Sequence, residues 1–186
     1  ISARRRFLDR LVFAWDPAHA GRVQSFEQSM RERLKILKDH TQPDLGWLKT
    51  IEEDMAERAM AVAAARRELI SRLGPLAVNG LSPFPGALLS LSGEIDTWLD
   101  NGPALEAEDR YRARLVADRS SDKAGGRTHT GPHRTDLVVQ HTEKGQDAAM
   151  CSTGEQKALL IAIILANASL RGLEEGGIPI LLLDEV

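Results

Sequence analysis

The stretch from Cys151 to Val186 limits what this chain can fold into more than any other part of it. It reads C-S-T-G-E-Q-K-A-L-L-I-A-I-I-L-A-N-A-S-L, then a glycine-containing loop, then I-P-I-L-L-L-D-E-V. Ser152 and Glu155 have the S-x-x-E spacing of a capping box, so a helix is predicted to start there. Gly154 in its first turn allows another group to approach the backbone closely. Residues 157–170 are apolar nearly all round, as in a helix packed inside a larger domain. Gly176-Gly177 then breaks the chain, and residues 178–183 run apolar without alternation, the pattern of a strand covered on both faces. Asp184 and Glu185 fall at the carboxyl end of that strand, where open α/β sheets hold their ligands. Each half alone also fits an ordinary capped helix or an ordinary buried strand. Their succession, about two dozen residues apart, is what carries the reading.

That succession resembles the ATP-binding-cassette class of ATPases: a signature motif, a helix, then a Walker B strand ending in Asp-Glu. The resemblance implies that Asp184 holds Mg²⁺ through water, since this small cation keeps most of its hydration shell. It implies that Glu185 polarises the water attacking the γ-phosphate. The signature residues Ser152, Thr153, Gly154 and Glu155 would face the γ-phosphate of an ATP held by a partner subunit, using the free N–H groups of a helix N-terminus.

Composition sets the outer limits. A chain of 186 residues makes one or two domains, and 42% apolar with 27% charged residues is ordinary for a globular chain with a core. With a net charge of −3, nucleic-acid contact has to come from a local patch. The single Cys151 excludes an intramolecular disulfide, fits a reducing cytoplasm and reads as a small buried apolar residue. No run approaches the roughly 20 apolar residues that cross a bilayer, and no signal peptide is visible, so a membrane role is not expected. The five histidines have no zinc-ligand spacing. The chain starts without Met and stops one residue after Asp184-Glu185, so it is expected to be a piece of something longer.

Along the chain, the first 14 residues or so join a basic cluster to the apolar positions Phe7, Leu8, Leu11 and Val12. Asp16-Pro17 reads as a helix N-cap with proline at the first helical position. The helix behind it should run to about Lys38, with Val23, Phe26, Met30, Leu34 and Leu37 on one face. After a turn at Pro43, a longer helix is predicted from about Leu45 to Leu73, stopped by Gly74-Pro75. Its positions 48, 51, 55, 59, 62, 66, 69 and 73 form a heptad-like seam of apolar residues with one arginine, Arg66. The two helices should pack antiparallel, as a short arm. Residues 79–86 break the pattern, and residues 87–95 alternate as a half-buried strand. A third helix is predicted over 103–124, with Leu105, Tyr111, Leu115 and Val116 inward, overlapping a mobile polar loop at 120–130. Residues 137–142 and 146–150 should form a hairpin leading into the signature.

A second unusual stretch, Gly131-Pro132-His133-Arg134-Thr135-Asp136-Leu137, precedes the signature by about fifteen residues. The order G-P-H-R-x-D-L, S-x-G-[EQ]-x-K, L-L-L-D-E resembles the RecF family of bacterial recombination mediators, as does the opening R-R-R-F-L-D. The intervening helices match only in character. The resemblance implies an α/β, mainly helical fold: part of a P-loop NTPase lobe of the ATP-binding-cassette type, carrying an inserted helical arm. On that basis residues 1–80 would be the arm, or lid, and residues 81–186 part of the ATPase lobe. It further implies a DNA-binding ATPase that forms an ATP-dependent homodimer and acts at single-strand gaps with RecR and RecO. His133 and Arg134 belong to the family motif; they either touch phosphate or organise the lobe. Arg4, Arg5 and Arg6 could contact DNA phosphates, as could Arg66 and Arg67, although a solvated helix face is the default reading of such charges.

No G-x-x-x-x-G-K-[ST] occurs in the chain. Without that loop the β- and γ-phosphates lack their backbone cradle and lysine, so the chain alone should neither bind ATP tightly nor hydrolyse it. Two other readings compete. One is a structural, SMC-like clamp, which needs far longer coiled coils than this arm; the other is a non-catalytic helical interaction module.

Overall fold

The fold comes from a computed structural model that describes residues 2–39 and 44–175. Seven helices and three short strands follow one another among the described residues: α1 (Ser2–Phe13), α2 (His19–Asp39), α3 (Leu45–Ala77), β1 (Ala87–Ser92), α4 (Glu94–Asn101), α5 (Ala104–Ala117), α6 (Arg119–Gly125), β2 (Asp136–His141), β3 (Gln146–Asp147) and α7 (Thr153–Glu175). Short 3₁₀ turns at Pro132–Arg134 and Ala148–Met150 lead into β2 and α7. By compactness the chain forms two units, residues 1–66 with 92–136, and residues 67–91 with 137 onward. In the first unit α4 and α5 share a core with α2 and the first half of α3, and α6 packs against α2.

Local chemistry sets the helix starts in the first unit. Asp16 accepts from the Ala18 N–H at 3.1 Å, so the Asp-Pro pair forms the turn before α2 and the helix proper begins at His19. Asp44 accepts from the N–H groups of Gly46 and Trp47 at 2.8 and 3.1 Å, capping α3. All eight seam positions of α3 are buried, Arg66 included. Ser29 of α2 bonds Asp54 of α3, and four residues on Arg33 bonds Glu52, so the two helices run in opposite directions, as predicted. One difference lies at the end of α3. Gly74-Pro75 does not stop it; the helix takes one more turn to Ala77, because proline costs only one late hydrogen bond and Leu73 and Ala77 are both buried.

The first unit also holds a buried charge network. Arg33, without solvent exposure, donates from Nε to Glu52 (2.9 Å), from Nη1 to Asp122 (2.6 Å) and from Nη2 to the Leu115 carbonyl (2.6 Å). Arg119 binds both Glu52 oxygens, and the other Asp122 oxygen accepts from the backbone and ring of His129. This network corrects the expected mobile loop: residues 119–125 are helical, and Thr128 and Thr130 are buried beside them. The expected third helix is therefore two helices parted at Asp118, and Leu105 (67% exposed) and Val116 (51%) face outward instead of inward. Tyr111 and Leu115 are inside as predicted. The strand expected to reach Ile95 ends at Ser92, since Glu94–Asn101 is helical and Ile95 is buried from a helix.

The second unit contains the end of α3, the sheet and α7. The sheet has the order β1-β2-β3, with β2 and β3 antiparallel in the register Gln140–Asp147 and His141–Gln146. Gly145 at φ 61° closes this hairpin, in a conformation costly for other residues. A Cβ on Gly86 would lie 2.1 Å from the Val78 carbonyl oxygen, so only glycine fits where these backbone segments meet. Along α7, Leu159, Ala162, Ile163, Ala166, Ala168 and Leu170 are buried, while Leu160 is exposed. By length and mean hydropathy the 21 residues Thr153–Leu173 reach the dimensions of a membrane span, although they are not an unbroken apolar run. Gln156, Lys157, Asn167 and Arg171 interrupt the apolar run.

Candidate functional site

The signature segment folds as its spacing dictates. The Glu155 carboxylate accepts from the Ser152 N–H (2.8 Å) and from the Ser152 hydroxyl (2.9 Å), and the Glu155 N–H points back at the Ser152 oxygen (3.4 Å). This is the reciprocal capping box. Ser152, Thr153 and Gly154 are exposed, and a Cβ built on Gly154 would meet nothing within 4 Å. The first turn of α7 therefore offers an uncovered helix N-terminus, whose early N–H groups have no partners within the helix. Lys144, at the hairpin tip, adds an ion pair to Glu155 that sequence reasoning missed. Its hydrogen bond, with those from Ser152, holds the Glu155 carboxyl down at about pKa 2. The acid beside the helix start is thus charged but already satisfied. Asp184 and Glu185, with the predicted strand at 178–183, lie outside the described residues.

The G-P-H-R-x-D-L motif forms a corner before β2, in which six of its seven residues are held internally. Gly131 sits at φ 150°, and a Cβ there would fall 2.8 Å from both His133 Nδ1 and the Tyr111 hydroxyl. The Pro132 carbonyl accepts from Arg66 Nη1 at 2.6 Å. His133 stacks on Phe26, with ring centroids 5.8 Å apart, and its Nε2 donates to the Thr128 carbonyl at 3.0 Å. Burial pushes the imidazole down to about pKa 4, with help from the charges of Arg134 and Arg5, so the ring is neutral near pH 7. The Thr135 hydroxyl donates to Asp96 at 2.7 Å, Asp136 pairs with Arg4, and Leu137 is buried. Arg134 is exposed and makes no side-chain hydrogen bond or ion pair among the described residues.

The arginines divide by environment. Arg66 and Asp9 form a two-bond pair (2.8 and 3.0 Å) inside the first unit, so Arg66 is unavailable to an external ligand. Arg4 is exposed but paired with Asp136. Arg5 is half-buried and reaches the Thr135 carbonyl at 3.5 Å; Arg6 is exposed.

Known proteins resemble this chain over its whole length. The DNA replication and repair protein RecF of Rhizobium etli is 52% identical over 187 residues, covering 100% of this chain and 50% of that protein. The RecF of Mesorhizobium japonicum is 48% identical over 185 residues, covering 98% of this chain and 48% of its own length. The chain belongs to the RecF family. It spans about half the length of the RecF proteins it matches. Two solved structures of the recombination mediator protein RecF, one with ATP and one with an ATP analogue, share its fold at TM-scores of 0.82 and 0.84 and 20% identity, each covered to 50%. No protein-family model matches the chain. The fold is thus that of RecF, mainly helical with a small sheet, as the motifs led us to expect.

Proposed function

We propose that this chain is part of a DNA-binding, ATP-dependent recombination mediator, and that the N-terminus of α7 is its nucleotide contact. The uncovered, capped first turn of α7 in a RecF-family chain carries this reading. That turn fits a phosphate: Gly154 leaves it open, Ser152 and Thr153 are exposed, and Glu155 is neutralised by Lys144. As in the ATP-binding-cassette arrangement that the motifs resemble, the nucleotide facing Ser152–Glu155 would be held mainly by a second subunit of the complete protein, giving an ATP-dependent homodimer. Asp184 would hold Mg²⁺ and Glu185 would orient the attacking water; Mg²⁺ supplies charge neutralisation at the phosphates. We assign residues 1–80 to an arm, or lid, and residues 81–186 to the ATPase lobe. We place the complete protein in the cytoplasm, at single-strand gaps, with RecO and RecR as partners.

The short α2 and α3, of 21 and 33 residues, favour this reading over an SMC-like clamp. Glu185→Gln in the complete protein tests it. The variant is expected to retain ATP binding, lose turnover and accumulate as an ATP-bound dimer. Unchanged turnover would transfer the assignment to a non-catalytic helical interaction module.

A further inference from the structure

Four guanidinium groups, those of Arg4, Arg5, Arg66 and Arg134, belong to the corner formed by residues 132–136, and among the described residues two of them, Arg66 and Arg4, hold carboxylate partners. Arg66 is taken by Asp9 and the Pro132 carbonyl, and Arg4 by Asp136. Asp9 is shared further with His19 Nε2 at 2.8 Å, so it has little capacity left. Glu27, the next acid toward Arg5, forms an exposed pair with Arg31 at 3.8 Å. His133 is half-buried and neutral near pH 7, and adds no charge. Arg5 and Arg134 remain. Arg5 Nη1 touches the carbonyl of Thr135, the residue next to Arg134, so the two groups belong to one corner. Burial, then the like charge of Arg66, push the Arg5 guanidinium below its ordinary pKa; Asp9 and Glu27 oppose this, Arg134 adds to it, and the net shift is down. Arg5 and Arg134 thus bring two positive charges to one corner without a direct carboxylate hydrogen bond or ion pair among the described residues, an arrangement that attracts an anion.

The other motif residues explain why Arg134 is where it is. Gly131, His133, Thr135 and Asp136 are each used internally, which fixes the turn and leaves one side chain directed to solvent. We propose that Arg5 and Arg134 bind a phosphate group, with Arg134 the residue the motif presents to its ligand. Planar guanidinium pairs suit phosphate oxygens, which they can bind in bidentate fashion. Arg5 also lines a cleft of about 480 Å³ between α1 and α2, where Arg6 and Arg10 stand beside Asp9 and Glu27. This assignment rests on the proposed function for its ligands, DNA or nucleotide, but is read in binding and not in turnover.

The test uses the complete protein and its Arg134→Gln and Arg5→Gln variants. Anisotropy of a fluorescein-labelled single-stranded oligonucleotide gives DNA affinity across a salt series; calorimetry with Mg-ATP gives nucleotide affinity. A DNA phosphate predicts that each variant loses roughly four- to sixfold at about 0.15 M salt, and about 0.7 to 0.9 in the log–log salt slope, with ATP affinity unchanged. A nucleotide phosphate predicts the loss in ATP affinity instead; either result supports the site. Arg134→Lys, which keeps the charge but not the bidentate geometry, should lose less affinity than Arg134→Gln. If Arg134→Gln changes neither affinity, or the wild-type protein binds neither probe, the site is overturned. Because Arg134 is exposed, its substitution leaves folding intact, and thermal unfolding checks this. Lost turnover in Glu185→Gln with DNA and ATP binding intact bears on the hydrolysis reading alone.

Discussion

Arg66→Met places a side chain of similar reach, without charge, at the one polar position of the α3 seam. The wild-type side chain is 2% exposed and makes three hydrogen bonds: two to Asp9 and one to the Pro132 carbonyl. Removing one partner of a buried ion pair strands the other, at a typical cost of about 3–5 kcal/mol. Asp9 keeps its bond to His19 and is partly exposed, which points to the lower end. The orphaned Pro132 carbonyl adds roughly 1–3 kcal/mol. A destabilisation of about 4 kcal/mol is expected, with urea unfolding followed by circular dichroism as the assay.

The loss has a pH signature. Burial pushes the Asp9 carboxyl up, but the hydrogen bonds from His19 and Arg66 and the Arg66 charge outweigh it, and the net shift is down. A carboxylate with a depressed folded pKa contributes stability that is complete above its unfolded value, about 3.9, and is lost as pH falls through the folded value. The gap between wild type and Arg66→Met should therefore be complete at pH 7 and shrink below about pH 4. Asp9→Asn combined with Arg66→Met, which strands no charge, should be more stable than Arg66→Met alone by at least about 1 kcal/mol. A gap below about 1 kcal/mol at pH 7, or one that does not shrink in acid, would refute this account of the seam arginine.

Three further outcomes are expected. Gly131→Ala forces a Cβ to 2.8 Å from His133 Nδ1 and the Tyr111 hydroxyl at an unfavourable φ of 150°, so thermal unfolding should show a loss of about 2–5 kcal/mol. Lys144→Ala removes the strongest influence on Glu155, whose carboxyl should titrate well above about 2 when followed by NMR; an unchanged titration means the hairpin tip does not reach the signature. Mg-ATP added to this chain alone should give no micromolar binding by calorimetry, and a micromolar isotherm would contradict the need for a G-x-x-x-x-G-K-[ST] loop.

What the sequence revealed was set by how far each signal reaches along the chain. The α3 seam was readable because helical periodicity is local, and all eight positions are buried. The role of Arg66 was not, because its partners stand 57 and 66 residues away. The capping box was readable at a spacing of three residues; the Lys144 contact, from a separate turn, was not. Residues 120–124 read both as the end of a helix and as a loop, because S-S-D in R-S-S-D-K-A-G has weak helix propensity and Asp122 is held from a distance by Arg33 of α2. The strand was extended too far because Leu89, Leu91 and Ile95 keep an alternating pattern across Gly93. A Cβ on Gly93 would lie 2.4 Å from Asp96 Oδ2 and 2.9 Å from Thr135 Oγ1, so that glycine marks a close approach ahead of α4.

The two candidate sites share a physical design that neither motif discloses as a string of letters. At the start of α7, Ser152 and Lys144 satisfy Glu155, which fixes the first turn and leaves its N-terminus uncovered. At the corner before β2, Tyr111 and His133 leave room only for glycine at 131, Arg66 and Asp96 bind Pro132 and Thr135, and Arg134 is what is left. In each case the internal bonds lock the backbone, so little ordering remains to oppose a ligand, and binding is favoured by preorganisation more than by the number of contacts. It follows that losing a supporting residue such as Asp96 should weaken binding through geometry and stability together. Losing Arg134 should weaken binding alone. That separation distinguishes a residue that holds a site from one that meets its ligand.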